Sequence, residues 1–396
     1  MQARPQQHIR SVIGAAAEGE QLATAADASV RPAVEAAPGG AARAATIGVI
    51  ANPVSARDIR RVVANAGNMQ ISDRVNIVLR MLSAAAACGV ARVLMMPDRG
   101  GIRALLERSL RRDRHSAHGE HWPEVEYLDM DPSSTVDDTF AATRLLVQAG
   151  VDAIVVLGGD GTHRAVVREL RQLDSRIPIA GLSTGTNNAF PEMREPTIIG
   201  MAVGLCVSDR VPAATALAPQ KLVEVAIESH RQVRRDIAIV DAVITSDRYI
   251  GARALWKPES LRAAYLAFAD PQCIGLSAIG GLLQPVARDQ PGGLAIEIAA
   301  DAADARLVLD APIAPGMVRP VPIANWRAMT ADQPMDVAHE AGTIALDGER
   351  ELGFEPGDRV RVTLRENAFL TVDVARCMRF AAAEGLLRRI AHQGAR

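Results

Sequence analysis

The stretch Val155-Val156-Leu157-Gly158-Gly159-Asp160-Gly161-Thr162 decides how this chain is read. An apolar run over residues 152–157 stops at three glycines that bracket one carboxylate, and a helical pattern follows from Thr162. In a sheet flanked by helices, that places Asp160 at the carboxyl end of a strand, where open α/β sheets bind ligands. Glycines permit positive φ and a close approach of backbone to ligand. The following helix aims its first N–H groups and its positive dipole end at the same spot, a setting that favours phosphate. A carboxylate is unfavourable there unless it does chemistry or helps hold a cation. The plainer alternative is that Asp160 caps the helix.

Working outward, residues 46–51 form a short buried strand that ends at Asn52-Pro53-Val54-Ser55. Asn and Pro after a strand are turn chemistry, and the same loop can bring the Asn52 amide and the Ser55 hydroxyl to a phosphate. Helix over 74–87, strand over 91–96, a helix after Gly100-Gly101, strand over 125–128, helix over 135–149, strand over 152–157, helix over 162–173 and strand over 178–182 follow in turn. Strands alternating with helices of this length predict a parallel, three-layer sheet. The fifth strand runs into Ser183-Thr184-Gly185-Thr186-Asn187-Asn188, a second small polar loop at the same sheet edge. Its carboxamides offer paired donors and acceptors for hydroxyls and carbonyls, or a helix cap. His115, His118 and His121 have ligand-like spacing, but Gly119 and Pro123 break any helix there and no Cys or acid completes a tetrad. A solvated loop is expected, and no metal-ligating set is assigned.

The 396 residues favour two domains plus a tail. A net charge of −2 argues against nucleic acid or an anionic membrane as a partner held by bulk charge. No apolar run is long enough to span a bilayer. Of 44 basic residues only Lys221 and Lys257 are lysine, and neither sits in a P-loop pattern. Four scattered cysteines suggest isolated small hydrophobes in a reducing compartment. Residues 1–45 lack an apolar period and read as a poorly ordered tail without a secretory core, so a cytoplasmic protein is expected.

From Lys221 the pattern changes. Residues 222–227, 235–245, 294–299, 305–309, 343–346, 359–364 and 369–374 read as strands with few helices between, which predicts an antiparallel, sandwich-like domain. Asp241 is a half-buried carboxylate in one of those runs. Residues 273–285 (CIGLSAIGGLLQP) have three glycines, apt for close approach to a ligand or a neighbouring domain. Asp347-Gly348-Glu349 is a hairpin signal, and residues 376–391 read as an amphipathic helix returning to the first domain. The domains are thus expected at 46–215 (α/β) and 216–375 (β-rich), with the helix over 376–396.

GGDGT after a buried strand, a Gly-Thr-Asn-Asn loop and a later β domain with Asp-Gly together resemble the NAD kinase and diacylglycerol kinase superfamily. The run over residues 47–61 (IGVIANPVSARDIRR) is similar to the acetoin-catabolism protein X group of ATP-NAD kinase-like bacterial proteins. The resemblance implies that Gly158, Gly159, Gly161 and Thr162 cradle donor phosphates, with Asn52 and Ser55 nearby. It implies that Asp160 activates the acceptor hydroxyl or helps hold magnesium, and that Gly185, Thr186, Asn187 and Asn188 contact acceptor or donor. Ser277 falls where NAD kinases carry a Gly-Ser-Thr-Ala-Tyr-type loop, which here reads Gly275-Leu276-Ser277-Ala278-Ile279. Asp241 falls in the place of an Asn-Glu pair, here Val240-Asp241. The implied substrates are ATP (or polyphosphate) with Mg²⁺, and NAD, whose 2′-hydroxyl becomes phosphorylated. Arg234, Arg235 or Arg253 would neutralise the spreading charge, and a homo-oligomer, dimer or tetramer, is implied by analogy. Two alternatives accompany this reading: a non-catalytic NAD- or ATP-binding sensor or assembly partner, and a lipid-type kinase with Glu349 as its base.

Overall fold

The structure, a computed structural model, describes residues 44–52, 69–114, 122–184, 188–230, 232–246, 260–348 and 350–388. The tail up to residue 43, the three-histidine segment, Ser55, Gly185, Thr186, Asn187, Arg253 and Glu349 lie outside the described residues.

Five strands alternate with helices through the first half of the chain. They are β1 (Ala45–Ala51), β2 (Val90–Met95), β3 (Glu124–Tyr127), β4 (Ala153–Gly158) and β5 (Ile179–Ser183). Between them lie α1 (Ile71–Ala87), α2 (Ile102–Arg114), α3 (Val136–Ala149) and α4 (Asp160–Gln172). All five strands pair in parallel in the order β3-β2-β1-β4-β5. Every residue of β4 is buried, as a parallel strand with helices on both faces requires. The order reverses between β1 and β4, whose register pairs Ala51 with Leu157. The carboxyl ends of these two strands are therefore the topological switch point of the sheet, and Asn52 and Gly158 both stand there.

The same sheet then continues with antiparallel strands from the second half. β6 (Leu217–Glu228), β7 (Val233–Ala238) and β16 (Arg359–Val372) extend it as β5-β16-β6-β7, with the short β13 (Met335–Asp336) paired to β16. The joint is narrow: β16 meets β5 through the single pair Thr371–Ile179. Residues 359–364 and 369–374, expected as two strands, belong to one long strand with a register shift between Arg365 and Phe369, where Asn367 has φ 51°.

The second sheet, wholly antiparallel, holds β8 (Asp241–Thr245), β9 (Leu261–Leu266), β10 (Gly293–Ile298), β11 (Leu307–Ala314), β12 (Met317–Met329), β14 (Gly342–Leu346) and β15 (Arg350–Phe354). The apolar run expected as one strand over 235–245 is β7 and β8, broken at Ile239-Val240. That break carries the chain from the first sheet to the second. Residues of β6, β7 and β16 pack with residues of β8, β9, β14 and β15 in one buried cluster, so the two sheets share a core. The segment over 273–285 is not an open glycine loop. It contains α7 (Leu276–Leu283), in which a side chain on Gly280 would strike Leu266 and one on Gly281 the backbone at Asp270-Pro271. The close approach that its glycines allow is to the protein's own chain.

Two helices not anticipated from the sequence are α5 (Pro196–Val207) and the short α6 (Ala213–Ala216). α5 is apolar on nearly all sides, so no 3.6-residue stripe marks it. It crosses α1 at close range, because a Cβ on Gly200 would lie 2.2 Å from the Met81 carbonyl oxygen and one on Gly204 2.6 Å from the Cys88 Cβ. The last helix, α8 (Val374–Ala383), buries Cys377 and Ala381 in the cluster that also holds Ile199, Ala202 and Val203 of α5. Among the described residues no helix is long and apolar enough to cross a membrane.

Replacing a helical glycine by alanine ordinarily gains about 1 kcal/mol. At Gly200 the sign should reverse: Gly200→Ala is expected to cost about 1–3 kcal/mol, the usual toll of overpacking. A lowered urea midpoint with an unchanged slope would establish the close α1–α5 crossing, and a raised midpoint would refute it.

Candidate active site at the glycine turn

β4 ends at Gly158 and α4 begins at Asp160, with Gly159 as its N-cap at φ −95° and ψ −171° and no side-chain cap on the helix. None of Gly158, Gly159 and Gly161 has a positive φ, so left-handed backbone is not why glycine stands here. The reason is space. A Cβ on Gly158 would lie 2.6 Å from the Thr162 side chain, and one on Gly159 would lie 2.8 Å from the Asn188 Oδ1. Asn188 in turn donates from Nδ2 to the Ser183 Oγ at 3.0 Å. The turn after β4 and the loop after β5 are thus in contact, and only bare backbone at Gly159 lets them meet.

Asp160 fastens that contact. Its Oδ2 accepts from the Ala189 N–H at 3.0 Å and its Oδ1 from the Phe190 N–H at 2.8 Å. The residue is 7% exposed, so it does not stand open beside the phosphate position that the glycine turn suggests. Asp160 neither caps its own helix through its side chain nor points freely to solvent; it holds the second loop.

The carbonyls of the same two residues are held from the other half of the chain. Arg288 donates from Nη1 to the Phe190 oxygen at 2.7 Å and from Nη2 to the Ala189 oxygen. Its guanidinium also stacks on Phe190 and Phe268, 5.2 Å and 4.5 Å from the ring centres. Cys273 adds its thiol, 3.9 Å from the Ala189 oxygen, and burial pushes that thiol up to about 11.

A buried ionic cluster lies along α4. Arg164 and Arg168 share a helix face by their spacing of four. Arg164 stands 3.7 Å from Asp236 and 3.8 Å from Asp347, Arg168 3.9 Å from Asp236, and Arg350 3.3 Å from Asp236. Asp347 itself accepts from the N–H groups of Ile239, Val240 and Asp241 at 3.0, 2.8 and 3.2 Å, so it pins the crossing from β7 to β8. Burial pushes its carboxyl up to about 7 against the opposing pull of Arg164. Asp347 and Gly348 both have positive φ, 49° and 69°, and turn β14 into β15 as an Asp-Gly hairpin should.

The other expected site residues take separate places. Asn52, one step beyond the Ala51–Leu157 pair, is buried and donates to the Thr135 oxygen at 2.9 Å and to the Thr139 Oγ1 at 3.2 Å, tying the start of α3 to the switch point. Thr162 is buried against Gly158. Asp241 sits at the start of β8, where its carbonyl accepts from the Asp347 N–H at 3.0 Å. Ser277 is buried and serves its own turn: its Oγ accepts from the Asp270 N–H at 3.2 Å and donates to the Phe268 oxygen at 3.3 Å. Arg234 donates to the Gly353 oxygen at 2.6 Å, on the far edge strand, and Arg235 is exposed there. A cavity of about 570 Å³ opens where β5 and β16 part, lined by Gly181, Phe190, Lys221 and Arg288, and no residue of the glycine turn lines it. Sequence reasoning passed over Arg164 and Arg288. Arg164, one helical turn after Asp160, could have been found by its spacing; nothing local marks Arg288.

Residues 47–210 match the ATP-NAD kinase N-terminal domain and residues 221–367 the acetoin catabolism protein X C-terminal domain. The acetoin catabolism protein X of Cupriavidus necator is 56% identical over 348 residues, which cover 88% of this chain and 95% of that protein. The chain belongs to the acetoin catabolism protein X family. Among solved structures, one described as a diacylglycerol kinase from Bacillus anthracis str. Sterne covers 83% of the chain and 96% of its own, at 14% identity and a TM-score of 0.38.

His163 supplies a test of how dry this region is. It is fully buried, its Nδ1 lies 2.8 Å from the Gly159 oxygen, and burial pushes it down to about 4. The unfolded chain takes up that proton near the ordinary histidine value and the folded chain does not. Stability is therefore intact above pH ~6.5 and drains as pH falls toward 4, by roughly 2–3 kcal/mol. The His163→Phe variant should lose that part of the acid sensitivity. Urea midpoints at pH 7 and 4.5 measure it, and an equal drop in both proteins would contradict a buried neutral imidazole.

Proposed function

We propose that the chain is a phosphotransferase of the ATP-NAD kinase type, moving a phosphoryl group from ATP or polyphosphate to the 2′-hydroxyl of NAD. The observation that carries this reading is the uncapped start of α4 behind a bare glycine turn, at the switch point of a parallel sheet. That position turns the first N–H groups and the positive dipole end of a helix toward a phosphate. The match of residues 47–210 to the ATP-NAD kinase N-terminal domain supports the same assignment. The name of the Cupriavidus necator relative supports a link to acetoin catabolism.

Phosphoryl transfer asks a protein chiefly for positioning and charge neutralisation. In this reading the glycine turn and the start of α4 receive the donor phosphates, and the loop ending in Asn188 receives the acceptor. In this reading Asp160 orients the acceptor hydroxyl and takes its proton. Among the described residues no three His, Cys, Asp or Glu side chains stand together as a metal cage. Magnesium enters as the chelate of ATP, part of the substrate.

A second reading, nucleotide binding without turnover, is favoured by one observation: both oxygens of Asp160 already accept amide hydrogens at 7% exposure. Incubating the protein with ATP, Mg²⁺ and NAD and measuring NADP separates the two. Formation of NADP that falls at least ~100-fold in Asp160→Asn, with ATP binding kept, supports the kinase. Thermal-shift binding of NAD or ATP without product supports the sensor, and no binding of either overturns both readings.

A further inference from the structure

One peptide unit is gripped at both ends. The peptide joining Ala189 to Phe190 directs its N–H at the Asp160 Oδ1, 2.8 Å away, and its C=O at the Arg288 Nη2. The N–H before it, of Ala189, also goes to Asp160, and the C=O after it, of Phe190, goes to Arg288. All four backbone polar groups of the two residues are thus taken by one anion and one cation on opposite sides. Both residues are buried, at 8% and 5% exposure. A carboxylate at the N–H side and a guanidinium at the C=O side polarise the peptide in the same sense, so each strengthens the other's hydrogen bond.

The cation is itself well anchored. Arg288 lies in the loop over 287–292, and that loop folds around Lys221. The Lys221 ammonium donates to the oxygens of Ala287, Gln290 and Gly292 at 3.0, 2.7 and 2.7 Å. The Gly292 N–H, at a residue with φ 85°, donates to Glu366 at 2.7 Å. Phe268 and Phe190 cover the two sides of the guanidinium. A planar fork with five donors fits two successive carbonyls in a way that a lysine could match only as a point charge. The glycine turn of the α/β half and the 287–292 loop of the β-rich half therefore meet on one dipeptide, immediately after the Gly185-Thr186-Asn187-Asn188 loop in the sequence.

We propose that Arg288 is a positioning residue at this turn: with Asp160 it fixes the Ala189–Phe190 peptide and thereby the height at which Asn188 faces the glycine turn. The proposal rests on the reading of this turn as a nucleotide site, and it adds a specific role for a residue of the second half. Because donor phosphates lean on the start of α4, which Arg288 does not touch, its removal should be felt by the acceptor.

The test uses the full chain with Arg288→Gln, Arg288→Lys, Asp160→Asn and the double variant Asp160→Asn/Arg288→Gln. Amide exchange at Ala189 and Phe190, read by NMR or mass spectrometry, should quicken about tenfold or more in Arg288→Gln, the loss of roughly one charged hydrogen bond. Arg288→Lys should recover part of the protection. In the double variant the effects should fall short of the product of the single ones, since the two charges act on one peptide. Dissociation constants give the functional side: Arg288→Gln should weaken NAD about tenfold or more and change ATP less than about twofold. Unchanged exchange, fully multiplicative effects, or equal losses for NAD and ATP would each overturn the proposal. If the wild-type chain binds neither nucleotide, the nucleotide-site reading fails, and the exchange data alone still decide whether Asp160 and Arg288 act as one clamp.

Discussion

Two charge-assisted hydrogen bonds from the Asp160 carboxylate to successive backbone amides hold the site together. Each is worth about 1.5–3 kcal/mol where the acceptor is charged, against about 1–2 kcal/mol to fix the backbone of one residue. The pair can therefore order Ala189 and Phe190 with little to spare. The guanidinium of Arg288 and the rings of Phe268 and Phe369 add to it, the Phe369 ring lying tilted with its centre 5.6 Å from that of Phe190. The order of this dipeptide is a property of both halves of the chain and belongs to neither alone.

The buried ions follow the same logic. Arg164, Asp236 and Asp347 lie at 7%, 3% and 0% side-chain exposure, with separations of 3.7–3.8 Å that are long for hydrogen bonds. Desolvation of such groups can exceed their mutual attraction, so the cluster is a weak source of stability. What it fixes is direction. Asp347 ties down three amides where the chain changes sheets, and Arg164 keeps that acid beside the helix that starts at the glycine turn.

How far the residues announced this structure depends on the range of the forces involved. β1 and β4 were legible because strands buried on both faces are continuous apolar runs, here ended by Asn52 and Gly159. The position of Asp160 at a strand end was legible for the same reason. Its orientation was not, because its partners are amides near position 190 that no spacing rule connects to it. The change of sheets at Ile239-Val240 was hidden inside one strand-like run, since the acid that pins the break stands more than 100 residues away. α5 was hidden by being apolar all round, and α7 by glycines that signalled a ligand when they serve packing against Leu266 and Pro271. Arg288 had no local signature: its rings and its carbonyls come from other parts of the chain.

The enclosure of Lys221 has a practical corollary. Its nitrogen has three carbonyl oxygens around it, and burial pushes it down to about 8, well below the ordinary lysine range, so roughly a tenth of the amine is uncharged and nucleophilic at pH 7. What shields it from an acylating reagent is steric enclosure by the strap that bears Arg288. The rate at which such a reagent marks Lys221 is then a stopwatch on how often that strap lifts.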